Sequence, residues 1–230
     1  RRPSKAMDKL TEEVRTAKSI LVVTGEGSIT RVVSLVVLRL ENANDEILVQ
    51  IGKWDGTQLE ADCRLPGLKQ ERSELVSETV ARMLGTKLLL LAGRVDIEGF
   101  SRENTENMSK EYGVQTRYLR SVCMARMSED EGPLEVPVVQ ARSQYMSSNS
   151  TGREESGLLA ALLGTEVLQV PSGTDIALYA WLRPETFEAL SGGGSAADQA
   201  LKGWLAQLPP PEKPLVHYEF EGDELVVVAI

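Results

Sequence analysis

The sequence predicts an α/β (α+β) fold in which a mixed β-sheet is sandwiched between helices. Three observations predict it. β-Branched runs bounded by Gly, Asn and Asp recur near both ends of the chain; two segments switch to helical period; and the order is strands, helix, strands, helix, strands. With 230 residues, 42% of them hydrophobic, a folded chain of this size buries roughly 70% of its unfolded surface, so the core needs no disulfide or metal.

The elements follow in order. Leu10, Val14 and Ala17 recur at helical spacing across Asp8 to Lys18. Ile20 to Thr24 reads as a strand ended by the turn Gly25-Glu26-Gly27. Val32 to Leu40 and Ile47 to Ile51 read as a β-hairpin, because the Asn and Asp of residues 41–46 are turn formers. A loop follows through Trp54, Asp55 and Gly56. From Ser73 to Leu84 the period becomes helical, with Leu75, Val76, Val80, Met83 and Leu84 as the apolar stripe and Glu74, Glu78 and Arg82 on the wet side. Ser73 is the expected N-cap and Gly85 the expected stop.

Lys87 to Leu91 is expected as a strand or a buried continuation, and the polar segment Ser101 to Gly113 as a solvated helix. Tyr118 to Met127 and Glu135 to Ala141 read as strands, and Ser143 to Ser156 as a polar surface loop. Ile176 to Leu182 is a strand and Pro184 to Leu190 a helix with Pro near its first position. Ser191 to Ser195 is a glycine loop before the amphipathic helix Ala196 to Leu208, which Pro209 to Pro211 ends. Val216 to Phe220 and Glu224 to Ala229 form a C-terminal hairpin. The expected organisation is a helical extension over 1–19, a domain over 20–208, and a hairpin over 209–230 belonging to the same domain.

A net charge of −9 argues against nucleic acid, because phosphate binding needs a basic stripe. The longest apolar stretch, Leu88 to Ala92, falls far short of the ~20 residues that span a bilayer, so no membrane insertion of this segment is expected. Cys63 and Cys123 read as buried free thiols, which suits a reducing, cytoplasmic compartment. One histidine, His217, supplies neither a zinc site nor a histidine relay. The polar, charged start, Arg1 to Leu10, does not read as a signal peptide, and the lack of an initiator Met with the apolar end at Val226 to Ile230 suggests a domain of something longer.

Hairpin, Leu65-Pro66-Gly67, a helix carrying Glu74 and Arg82, then Leu178 to Glu185 leading to a short helix: this order resembles the Nudix hydrolase family. The resemblance implies a Nudix-like mixed sheet between helices. The family box places Gly, five residues, Glu, seven residues, Arg-Glu-apolar, one residue, Glu-Glu. Here Gly67 is followed by six residues before Glu74, and the seven-residue gap from Glu74 to Arg82 is kept. The positions where the family holds its metal-binding glutamates fall on Met83, Thr86 and Lys87. The resemblance therefore implies a degenerate box with remnants Gly67, Glu74 and Arg82, no catalytic residue and no metal.

Trp54, Arg64, Lys69 and Arg94 are the candidate ligand-binding residues. With Arg72, Arg102 and Arg117 the cations read either as converging on an anion or as scattered solvated charge. Trp54, Trp181 and Trp204 read first as packing anchors. Glu103, Glu106 and Glu111 are candidates for a loop base or ligand, or plain solvated acids. Three functions stay open. The first is a non-catalytic Nudix-like module, sensing a nucleotide-type small molecule or docking other domains of the same or a partner protein, with no cofactor. The second is a Mg²⁺-dependent hydrolase of nucleoside diphosphate derivatives using Glu71, Glu74 and Glu78. The third is a structural or assembly domain unrelated to Nudix.

Overall fold

A computed structural model describes residues 5–25, 27–128, 138–140, 153–172, 175–192, 194–209, 216–221 and 224–229. Among the described residues, ten strands take part in mixed parallel and antiparallel pairing, and five helices accompany them. The chain divides into two compact units. One comprises Arg1–Val49, Arg64–Glu135 and Trp181–Pro184, the other Gln50–Cys63, Val136–Ala180 and Glu185–Ile230.

The first unit opens with helix α1 (Lys5–Arg15), then β1 (Ile20–Val23) and β2 (Ile29–Glu41), and the chain enters β3 (Ile47–Trp54). β2 is its spine. Val33, Val36, Val37, Leu38 and Leu40 are buried along it, which is why a run this rich in β-branched residues becomes a strand paired on both sides. The predicted hairpin forms, with Glu41 opposite Ile47. Its turn is built by Asn42, whose Oδ1 accepts from the N–H of Asn44 and of Glu46, while Asp45 takes φ +58.

Two short elements of the same unit follow from the middle of the chain. β5 (Gly67–Lys69) lies antiparallel to β2, and helix α2 (Val76–Leu84) packs on both. β6 (Val95–Met108) and β7 (Gln115–Met127) form a long antiparallel ribbon. β7 lies parallel to β2 from Thr30↔Gln115 to Glu41↔Arg126.

Two expectations are corrected in this unit, and a third is narrowed. The acidic segment Ser101 to Gly113 is strand β6 and its turn, not a helix. Glu103 and Glu106 stand directly opposite Arg120 and Arg117 in the register, and cross-strand ion pairs at 3.2 and 2.5 Å replace the solvated helix face. Lys87 to Leu91 is not a strand but the alternative buried segment, with Leu88 and Leu91 buried and Leu89–Leu91 forming one 3₁₀ turn. Ser73 is not the N-cap of α2. It takes φ +64 in the preceding turn, and Leu75 holds the cap position with its N–H satisfied by Glu78 Oε2 at 2.7 Å. Gly85 does end the helix, in right-handed conformation.

The second unit contains the rest of β3, then β4 (Leu59–Arg64), whose residues up to Cys63 belong to it, followed by β8 (Val138–Gln140), helix α3 (Arg153–Leu162), β9 (Glu166–Ser172) and β10 (Asp175–Leu182). Strand order here is β4-β3-β10-β9-β8. Helices α4 (Pro184–Ser191) and α5 (Ser195–Leu205) match the two predicted late helices, and β11 (Val216–Glu221) with β12 (Glu224–Ala229) is the predicted terminal hairpin. Gly52 of β3 is crowded by both β4 and α5. A Cβ there would meet the Glu60 carbonyl oxygen at 2.9 Å and Leu205 at 3.2 Å. β4, β9 and α3 carry no clear pattern in the sequence. Of the predicted loop at Ser143 to Ser156, residues 143–152 lie outside the described residues, and Ser156 falls in α3.

Candidate functional site

The loop and helix from Gly67 to Lys87 begin with a glycine that must be one. A Cβ at Gly67 would meet Val37 Cγ1 at 2.9 Å and the Val36 carbonyl oxygen at 3.0 Å, so β5 can lie against β2 only without a side chain there. The next anchor is Glu74. It sits before α2 rather than on its wet face, and its side chain is only 12% exposed. Arg82, eight residues on, grips it with two parallel bonds, Nε to Oε1 at 2.8 Å and Nη2 to Oε2 at 2.9 Å. The Thr79 hydroxyl and the Glu71 N–H add further bonds at 2.8 Å. The Arg82 guanidinium, bonded to the carboxylate, holds the Glu74 acid down to about 2. Arg82 Nη2 also donates to the Lys69 carbonyl oxygen at 3.0 Å. Glu74 and Arg82 thus form a staple that ties the loop to the helix.

The three positions that the resemblance assigns to metal ligands do other things. Met83 is fully buried. The Thr86 hydroxyl turns back to the Arg82 carbonyl oxygen at 2.6 Å. Lys87 Nζ donates to the Gly67 carbonyl oxygen at 3.0 Å and brings a positive charge to the loop. The remaining acids are committed elsewhere: Glu74 to Arg82, Glu78 to the helix cap, Glu71 to Arg82 at 3.7 Å. Among the described residues no group of three or more His, Cys, Asp or Glu could hold a metal ion. Mg²⁺ asks for several oxygen donors in octahedral order, and this donor set does not fit it.

Trp54 belongs to the second unit, whereas Lys69 and Arg94 belong to the first. Arg64 is exposed at the end of β4. Arg117 pairs with Glu106, Glu103 with Arg120, and Glu111 with Lys9 at 2.7 Å. Both cysteines are free. Burial pushes Cys63 up to about 12 and Cys123 up to about 11, so neither is a thiolate nucleophile at neutral pH. Trp204 is buried in α5. Trp54 lines a cavity of about 180 Å³ in the second unit with Leu59, Gln169, Leu178, Leu205 and Leu208.

One cluster in the first unit was not legible in the sequence. Glu13 on α1 is bonded to Arg31 of β2 and, at 2.5 Å, to Lys69 of β5. The Tyr112 hydroxyl, from the β6–β7 turn, donates to Glu13 Oε1 at 3.3 Å. The Tyr112 ring lies under the Arg31 guanidinium, 4.9 Å to its centroid. Burial raises the Glu13 acid, but the bonds from Lys69 and Arg31 outweigh it and hold the carboxyl below its usual range. Burial and the neighbouring carboxylates push Tyr112 up to about 12, so it remains a donor. Sequence separations of 18 between Glu13 and Arg31 and 99 between Glu13 and Tyr112 left no local signal.

The sequence matches no protein-family model and no curated protein. The fold is similar to solved Nudix hydrolases. The MutT protein from Methanosarcina mazei Go1 shares 14% identity over 76% of this chain and 94% of its own, with a TM-score of 0.35. A NUDIX hydrolase from Nitrosomonas europaea shares 12% over 77% and 92%, at 0.35. An ADP compounds hydrolase shares 11% over 82% and 84%, at 0.34.

Proposed function

We propose that this chain is a non-catalytic, Nudix-like binding module. The observation that carries it is the fate of the box: a staple of Glu74 and Arg82 is kept, while Met83, Thr86 and Lys87 stand where the resemblance requires carboxylates. None of the three supplies a carboxylate, the Thr86 hydroxyl is turned to the Arg82 carbonyl oxygen, and Lys87 adds a charge of the wrong sign. The test is incubation with ADP-ribose-type compounds and Mg²⁺ or Mn²⁺, with nucleoside monophosphate as the readout. No turnover is expected. Metal-dependent release that Glu74→Gln abolishes would establish the hydrolase instead.

A second observation favours protein docking as the kind of binding. All four residues of β1 are apolar and exposed, from Leu21 at 39% to Val23 at 67%. Among the described residues β1 pairs only with β2. Such an edge is a template for another strand. The other edge of this unit, β6, is guarded by its ladder of charges. Ile20-Leu21-Val22-Val23 carries no charge and is complementary to itself in antiparallel, so a second copy is the occupant we favour. Sedimentation should show a concentration-dependent dimer that Val22→Lys dissolves. A monomer at every concentration would remove β1 from the proposal.

A further inference from the structure

The Glu13 cluster has a charge imbalance. Two cations, Arg31 and Lys69, are bonded to one carboxylate, while the nearby Glu111 is paired with Lys9, and Arg31 keeps only 4% of its side chain exposed. Its Nε is buried with no hydrogen-bond partner. Burying a guanidinium with a donor unmet is costly, so the pocket holds more donor capacity and more positive charge than Glu13 satisfies. The donors come from β2, β5 and the β6–β7 turn, all independent of α1, and the Tyr112 ring fixes the Arg31 plane. The helix that brings the carboxylate is lightly held. Leu10 and Glu13 are its buried residues, while Met7 and Val14 face solvent. Lys9–Glu111 adds only an exposed ion pair.

We propose that Arg31, Lys69 and Tyr112 form a binding site for a phosphate-type dianion, and that Glu13 on α1 occupies it as an internal substitute. A dianion neutralises both cations where one carboxylate leaves a net positive charge. It also offers an additional acceptor to the unmet Arg31 Nε. The ligand and α1 therefore compete, and apparent affinity in the native chain is reduced by the fraction of time the helix is docked. This inference goes beyond the loss of catalysis and stands whether or not β1 self-associates.

The probes are inorganic pyrophosphate and ADP, titrated calorimetrically into the whole chain. Glu13→Gln should bind pyrophosphate at least about tenfold more tightly than the native chain. Leu10→Ala, which loosens the helix and leaves the cluster intact, should tighten binding severalfold and decides the matter if Glu13→Gln fails to fold. Lys69→Met in either background should lose the gain. Hydrogen exchange gives a readout that a merely structural ion pair would not move: saturating pyrophosphate should speed exchange across Lys5–Arg15 in the native chain. Tighter binding of ADP than of pyrophosphate would indicate that the nucleoside is recognised as well; equal binding would confine recognition to the phosphates. Affinities unchanged by both variants, or α1 exchange unmoved at saturation, would overturn the proposal.

Discussion

Glu74 and Glu13 are both largely buried carboxylates held by an arginine in the same unit, yet they are satisfied in opposite senses. Around Glu74 one guanidinium, one hydroxyl and one backbone N–H meet the carboxylate, and Glu71 stands 3.7 Å from the same guanidinium, so no positive charge is left over. Around Glu13 two cations and a phenol meet a single carboxylate, and a buried Arg31 donor is left over. The first arrangement is closed: nothing can be added without breaking it. The second keeps an unmet donor and one more positive charge than its bonded carboxylate neutralises. A buried ion pair is therefore informative by its balance rather than by its presence, since a complete pair marks a fastener and an incomplete one marks a place that a ligand can improve.

The largest effect should follow Glu13→Gln, which leaves Arg31 and Lys69 facing each other without a counter-charge. Removing one partner of a buried network costs about 3 kcal/mol, or roughly 6–12 °C in Tm for a chain of this size, measured by scanning calorimetry. Arg82→Met should cost less, about 2 kcal/mol, because Glu74 keeps its bonds from Thr79 and Glu71. Arg82→Lys should recover under half of that, since an ammonium cannot make both parallel bonds. A larger loss at Arg82 than at Glu13 would reverse the comparison.

Acid titration sharpens it. The folded-state pKa of Glu74 lies at about 2, below its ordinary value of 4.5. Its contribution is therefore fully present above about pH 4.5 and is lost as the pH falls towards 2. Denaturant midpoints taken between pH 5 and 2.5 should fall in the native chain and fall less steeply in Arg82→Met. Parallel slopes would mean that Arg82 is not the cause of the shift.

Much of this fold was legible because local chemistry and tertiary context agreed. The β2–β3 hairpin, α2, α4 and α5 each announce themselves by period and by turn residues. β6 did not, because Glu103 and Glu106 look like solvated acids until Arg120 and Arg117 are seen opposite them. Ser73 failed as a cap for a similar reason: Glu78 reaches the Leu75 N–H, and the serine is turned away at positive φ. The box remnant was readable as a set of residue types, but the burial of Glu74 was not, since its partner lies eight residues on. The Glu13 cluster was wholly non-local, joining a helix, two strands and a turn.

Smaller again is Lys87→Met, which removes the bond to the Gly67 carbonyl oxygen without touching Glu74 or Glu13. A loss of about 1 kcal/mol is expected in urea unfolding. The same variant removes the charge that opposes a cation beside the box, so it also tests the non-catalytic reading. Met83 and Thr86 still provide no carboxylate, and no Mg²⁺-dependent turnover should appear.

The smallest effect sets the scale for all of these. Arg117 and Glu106 face each other across β6 and β7, about half exposed on both sides. Water and salt screen such a pair, and holding two long side chains in one geometry costs entropy, so Arg117→Ala should stay within about 0.5 kcal/mol of the native chain. Raising the salt concentration should erase even that difference. The losses at Glu13 and Arg82 should survive the same salt better, because the Glu13 and Glu74 carboxylates are largely buried. If all three variants respond to salt alike, burial is not what separates the staple and the cluster from an ordinary surface pair.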